Sequence, residues 1–228
     1  NKSRILDKMN VVDSTFLTTS PDVLNFLDKS KCFYMPNPSD KSFEILDNYN
    51  KSCNVDVFFA LSHGVHRGVL KSGKSDDRII FLNNLTSKTP DVKFDLYGIG
   101  KIQPIWADHY FKTISNAKMG LNLSRGEAIK YYSSDRITQI VGNGLVCLID
   151  EKTQYRNFFN DNEMVFYKNI NDLSEKIIRI SNDDKLRKSI AKKGKEKYMK
   201  HFNSNLVAQY IINKTLNINP KERYLWEK

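Results

Sequence analysis

Ser133, Ser134, Asp135 and Arg136 stand in a row ahead of the pattern Ile137-Thr138-Gln139-Ile140-Val141. Gly142, Asn143 and Gly144 follow, and then the apolar run Leu145 to Ile149. That order predicts a helix capped by Ser or Asp, closed by glycine and delivered into a buried strand. A helix start gathers unpaired backbone N–H groups and the positive end of the dipole, so Arg136 in the first turn weakens the helix unless an anion answers it. A phosphate or pyrophosphate accepting from those donors and from the guanidinium fork turns an awkward charge into a binding site. The ordinary alternative is a capped helix whose Arg136 pairs with a neighbouring carboxylate.

Such a site needs a scaffold, and the remaining pattern predicts one. Strand-like runs at 13–18, 32–35, 55–61, 93–97, 118–123, 145–149 and 164–167 alternate with helical patterns at 20–27, 76–85, 107–115, 171–181, 183–200 and 203–215, and with a short helix at 155–159. This is the signature of an α/β protein with a doubly wound, Rossmann-like parallel sheet. Pro36-Asn37-Pro38 and the polar segment 39–54 read as a linker, which divides the chain into 1–38, 39–216 and a tail, 217–228, expected on a surface or on a neighbour.

Ligands of an open parallel sheet collect beyond the carboxyl ends of its strands. Four such ends carry polar or glycine-rich loops: Ser62 to Gly68, Gly98 to Gly100, Ser124 to Glu127, and Tyr131 to Arg136. Their convergence would bring Arg67, Lys71 or Lys74, Arg125 and Arg136 to one edge. His63 and His66 straddle Gly64 after a strand, a good position for ligand contact, whereas His109 and His201 read as helix-surface residues. Gly98-Ile99-Gly100 lacks the third glycine of a dinucleotide fingerprint, and no phosphate-binding P-loop motif occurs. Asp76-Asp77 reads as a helix cap and Tyr131-Tyr132 as packing.

The chain has 228 residues, a formal net charge of +10 and 40% hydrophobic residues, so it can bury a core and calls for an anionic partner. Much of the excess charge lies in Lys185 to Lys200, a pattern of a solvated helix face. No zinc-finger, RRM or KH signature accompanies it, which argues against nucleic acid. Basic residues with Tyr198, Phe202, Tyr224 and Trp226 nearby suit peripheral contact with an anionic membrane. Cys32, Cys53 and Cys147 form no CxxC pair and read as buried thiols of a reducing compartment, with no disulfide framework or zinc site. No signal-peptide core and no membrane-span pattern is present, so a cytoplasmic location is expected.

The run from Val55 to Asn203 resembles the carboxy-terminal, nucleotide-sugar-binding domain of the two-domain GT-B glycosyltransferases, in particular the CgeB-like, group 1 type. The resemblance rests on Arg136-x-x-Gln139-x-x-x-x-Gly144, where the family has Arg-x-x-Glu-x-x-x-x-Gly. It also rests on Arg187-x-x-Ile190-Ala191-x-x-Gly194 ahead of Phe202. It implies that 1–38 ends an amino-terminal domain and crosses into a donor-binding domain, 39–216. It implies a donor site built from His63, Gly64, His66, Arg67, Lys74, Arg125, Tyr132, Ser133, Ser134, Asp135 and Arg136 around the diphosphate, with the base near Gly98, Ile99 and Gly100. Gln139 stands where the family's acid grips the ribose, and Glu127 is placed to compensate. The implied activity is metal-independent, cofactor-free transfer of a sugar from a nucleoside diphosphate sugar to a glycan, lipid-linked or protein acceptor of the cell envelope or surface, at the inner face of the membrane. The general base of this architecture comes from the amino-terminal domain, so none is named here. Two other readings stay open: a nucleotide-sugar epimerase, which needs a pair of acid/base groups at the sugar, and a non-catalytic interaction module.

Overall fold

Val57, Phe58 and Phe59 are consecutive and wholly buried, yet Phe58 belongs to one apolar cluster and its neighbours to another. Successive side chains of a strand point to opposite faces, so a sheet covered on both sides reads as a continuous apolar run. The computed structural model describes residues 2–61, 76–220 and 222–227. It opens with a helix, α1 (Lys2–Met9), and a separate pair of parallel strands, β1 (Thr15–Leu17) and β2 (Cys32–Tyr34). The main sheet has β3 (Val55–Ala60), β4 (Phe94–Tyr97), β5 (Ala117–Asn122), β6 (Val146–Asp150) and β7 (Val165–Tyr167), all parallel, in the spatial order β4-β3-β5-β6-β7. Helices α2 (Asp77–Lys88) and α5 (Ile170–Asn182) give Leu82, Leu85, Leu173 and Ile177 to one face. Helices α3 (Ala107–Ile114) and α4 (Arg136–Gly142) give Ile114, Ile137 and Ile140 to the other. This is the expected doubly wound α/β architecture.

The strand order creates a crevice. From β3 the chain moves outward to β4, and from β4 it returns past β3 to β5, so connections leave the carboxyl ends of β3 and β5 in opposite directions. That reversal is the switch point at which open α/β sheets leave room for a ligand.

Three expectations are corrected. The segment 39–54 is no free linker. Ser39 and Asn48 are wholly buried, and Asn48 donates from Nδ2 to the carbonyls of Ile114 and Ala117, both at 2.8 Å. Its polar residues satisfy backbone groups of the domain, which composition alone cannot distinguish from solvation. The helices expected at 20–27 and 155–159 shrink to 3-10 turns, Pro21–Val23 and Tyr155–Asn157. In the first, the Ser20 hydroxyl bonds Asp22, while the Ser20 amide bonds the Lys130 carbonyl.

The tail is also built in. After α6 (Asp184–His201) and α7 (Ser204–Thr215), Tyr224 and Trp226 turn back into the core at 8% and 4% exposure, and the Tyr224 hydroxyl accepts from Asn213 Nδ2. Tyr198 and Phe202 are wholly buried as well. The four aromatics offered for membrane contact are therefore core residues stacked on one another. Most of the basic run is the expected solvated face, with Lys185, Lys192, Lys193 and Lys200 exposed, but three of its eight basic side chains are used internally. Arg187 is wholly buried, donating to the Asn48 and Lys51 carbonyls at 2.9 Å each, and Lys195 and Lys197 pair with Asp47 and Glu163. The three cysteines are buried and free. No described helix is long and apolar enough to cross a membrane.

Candidate functional site

Gly120 on β5 and Ile140 on α4 set the position of Arg136. A Cβ on Gly120 would come within 2.4 Å of Ile140 Cγ1, so the missing side chain lets α4 lie directly on the sheet. Arg136 stands one turn before Ile140 on the same helix face and is thereby aimed at the carboxyl edge of the strands. Its Nε donates to the carbonyl of Ala60, the last residue of β3, at 3.0 Å. Its Nη1 donates to that of Leu123, just beyond β5, at 3.2 Å. The guanidinium thus spans the switch point, over the Phe59 ring at 4.9 Å from the centroid.

Among the described residues, Arg136 pairs with no carboxylate. Burial first, and then the like charge of Arg78, bring its pKa down from 12.5 to about 10. Arg78, in the first turn of α2 and 7% exposed, is held by Asp76, with Nε to Oδ1 at 2.9 Å and Nη2 to Oδ2 at 2.6 Å. That fork holds the Asp76 carboxyl at about 2. Asp76 answers Arg78 and the cleft's other carboxylate, Asp135, is exposed to solvent, so Arg136 keeps an unpaired charge in a poorly solvated place, which favours an anion.

Both arginines line a cleft of about 520 Å³, with Trp106 and Tyr110 of the α3 side and Ser134 and Gln139 of the α4 side. That volume falls within the usual range for small-molecule sites. Tyr110 Oη donates to Gln139 Oε1 at 2.5 Å, which occupies the amide oxygen and leaves the amide nitrogen as a donor. Burial pushes the Tyr110 hydroxyl pKa well up, so it stays protonated. Among the described residues the amides of Ser134, Asp135 and Arg136 take no hydrogen bond. The cleft wall therefore offers donors in excess. A larger hollow of about 670 Å³ lies between β2, α7 and the tail. It shares no lining residue with the cleft, and its Lys214 is already paired with Glu227.

The sequence-predicted residues divide. Tyr132, Ser134, Asp135, Arg136 and Gln139 meet in the cleft. Ser133 does not: it is 2% exposed, and its hydroxyl is taken up by Asn122 Nδ2 and the Ser134 carbonyl. The helix begins at Arg136, three residues later than expected, and Asp135 makes no side-chain cap. With seven residues α4 has a weak dipole, so the guanidinium, rather than the helix end, gives the cleft its charge. Arg125 and Glu127 are exposed outside the cleft, with Glu127 paired to Lys152 and Gly126 tied to Asp77. Gly98, at φ +69, supports the edge: a Cβ there would lie 1.9 Å from the Leu61 carbonyl oxygen. Ile99 is buried and Gly100 faces open space. Tyr131 packs on Phe158, as expected, with ring centroids at 4.7 Å. His63, Gly64, His66, Arg67, Lys71 and Lys74 lie outside the described residues.

Sequence reasoning missed Arg78, Trp106 and Tyr110. Arg78 carried the same signal as Arg136, a cation in the first turn behind an Asp cap. Nothing in the spacing of Trp106 or Tyr110 pointed to the cleft. Among the described residues no three His, Cys, Asp or Glu side chains come together as a metal site.

The family model described as glycosyl transferase-like matches residues 78–213, more than half of the chain. No curated protein sequence matches it. Among solved structures, a variant of S. aureus TarM in complex with fondaparinux, α-GlcNAc-glycerol and UDP gives a TM-score of 0.66 at 17% identity, over 94% of this chain and 46% of that one. Anabaena HepE in complex with UDP gives 0.61 at 9% identity, over 90% and 64%. The pneumococcal O-GlcNAc transferase GtfA, with UDP and GlcNAc, gives 0.57 at 11% identity, over 92% and 46%. At these identities the likeness is one of fold, and the chain spans less than two thirds of each neighbour's length. The sheet order, the helices on both faces and the family match agree: the chain belongs to the glycosyl transferase-like family, with the fold of a Rossmann-like GT-B half.

Proposed function

We propose that the chain is the donor-binding portion of a glycosyltransferase, which holds a nucleoside diphosphate sugar by its diphosphate. The observation that carries this reading is Arg136, a guanidinium at the switch point that bonds two strand-end carbonyls and no described carboxylate. In the transfer, the bond between the sugar's anomeric carbon and the diphosphate oxygen breaks, and its electron pair goes to the phosphate. The acceptor oxygen forms the new glycosidic bond, and its proton passes to the general base that this architecture draws from its amino-terminal domain. Charge developing on the leaving diphosphate is answered by Arg136 and by the Gln139 amide, with Arg78 adding positive potential behind them. These are donors preorganised in a site of low dielectric, which suits a metal-independent reaction. The UDP bound by structural neighbours supports a nucleotide donor, and the saccharides bound by two of them support a glycan acceptor, for which our reading takes a glycan of the cell envelope or surface.

The test is a thermal-shift survey with uridine, guanosine, adenosine and thymidine diphosphates, in EDTA and in magnesium. A rise in melting temperature that persists in EDTA and vanishes in Arg136→Ala is expected. No rise with any nucleotide on the folded protein would refute the reading. Turnover of the matching nucleotide sugar with a glycan acceptor then separates a transferase from a binding module.

A further inference from the structure

Trp106 is 59% exposed, the largest apolar side chain left open on the wall of the cleft. Its position is unfavourable to folding in three ways. An exposed indole forfeits burial that a Trp normally contributes. Trp106 is also the N-cap of α3, where Ser, Thr, Asp or Asn would bond the helix backbone, and it makes no such bond. The next residue, Ala107, is forced to φ +46, a left-handed conformation that a side chain with a Cβ adopts at a cost. Departures from the local rules that cluster at one point of a cleft indicate function rather than stability.

Among the described residues the indole has no aromatic or cationic partner on its face, although the chain makes many ring contacts elsewhere. Ile105 beside it is buried at 7%, which anchors the lip while the Trp stays open. The cleft joins this flat apolar surface to the cationic floor of Arg136 and Arg78. A ligand that satisfies both ends carries a diphosphate at one end and a planar π-system at the other.

We infer that Trp106 is the stacking platform for the donor's nucleobase and sets the nucleoside part of its affinity. This rests on the donor-binding reading above and locates the base on the α3 lip rather than on the Gly98–Gly100 turn. Because every base has a π-face, the platform is tolerant of base identity and favours purines through their larger area. Selectivity between uridine and guanosine donors then belongs to groups other than this ring.

Titration with inorganic pyrophosphate, UDP and GDP separates the two ends of the site. The chain has two tryptophans, and the second, Trp226, is 4% exposed in the core, so emission that responds to ligand reports Trp106. UDP and GDP are expected to quench the emission, pyrophosphate to bind with little quenching, and Trp106→Phe to abolish the signal while keeping most of the affinity. Trp106→Ala should weaken UDP and GDP by about 5- to 150-fold, toward the affinity of pyrophosphate, and leave pyrophosphate binding unchanged. Equal weakening of pyrophosphate and UDP would overturn the stacking role, as would unchanged UDP affinity in Trp106→Ala. Quenching by UDP-sugars but not by UDP would assign the ring to the sugar instead and overturn it too. Failure of both pyrophosphate and UDP to bind the unaltered protein would sink the diphosphate site itself, a result distinct from the other three.

Discussion

Replacing Arg136 by Met separates the two roles a half-buried guanidinium can have, structural bracket or ligand site. The charged form is disfavoured in the fold, because its pKa falls from 12.5 to about 10. That fall corresponds to about 3 kcal/mol of desolvation, relieved only as pH rises through about 10 and beyond, so the cost is present in full at neutral pH. Against it stand the bonds to Ala60 and Leu123, each worth about 1.5–3 kcal/mol when charge-assisted, and the contact with Phe59. At the lower end of that range the two sides nearly cancel. Arg136→Met keeps the length and removes charge and bonds together, so the unliganded variant should unfold within about 1–2 kcal/mol of the parent by urea titration. Ligand linkage shows no such cancellation. At a nucleoside diphosphate concentration of about 100 Kd the parent gains about 2.7 kcal/mol, or about 5–10 °C in Tm for a chain of this size. The variant should gain less than about 1 °C. A variant that loses more than about 4 kcal/mol without ligand, yet still shows the full ligand-induced shift, would refute the reasoning and make Arg136 a clamp between β3 and β5.

Asp76→Asn keeps a capping side chain but breaks the fork to Arg78. The carboxyl is held at about 2 against 3.8 by that fork, so its stabilisation is present above pH ~4 and lost as pH falls through about 2. The variant should be about 2 kcal/mol less stable at neutral pH, with a flatter stability profile in that acid window, as measured by denaturant unfolding at several pH values. Gly120→Ala pushes Ile140 and lifts α4, which should cost about 1–3 kcal/mol and reduce the ligand-induced Tm shift at fixed nucleotide. Gln139→Glu places a carboxylate one turn from Arg136 and should weaken UDP binding in calorimetry; tighter binding would show that position 139 accepts from the ribose. Tyr110→Phe frees the Gln139 oxygen and should lower stability by about 1 kcal/mol, with a smaller effect on pyrophosphate than on UDP.

The alternation of apolar runs with helical patterns was enough to read the doubly wound sheet, because burial on both faces leaves β3 and β6 almost wholly apolar, with Asp56 and Asp150 near their ends the exceptions. Arg136 was legible for a similar reason: a cation at a helix start is unusual on local grounds alone. Ser133 and the linker 39–54 misled, since polar residues that satisfy buried backbone groups look the same in sequence as polar residues that meet solvent or ligand. Asn48 and Arg187 show this, for their partners lie far away along the chain. The membrane reading failed the same way, because aromatic composition does not say which side of the surface Tyr224 and Trp226 occupy.

By itself, then, the order of residues determined the kind of sheet, the residues of each strand and the presence of an unanswered cation at one strand-to-helix junction, all properties of neighbours within a few positions. Tertiary structure decided which strand ends are adjacent. Arg78 of α2, Trp106 and Tyr110 of α3 and its cap, and Arg136 of α4 come from three separate segments, and only the return of the chain past β3 to β5 gathers them around one cleft. The physical reason is that periodicity fixes the face on which a side chain lies, whereas strand order, set by the packing of the whole domain, fixes what that face meets.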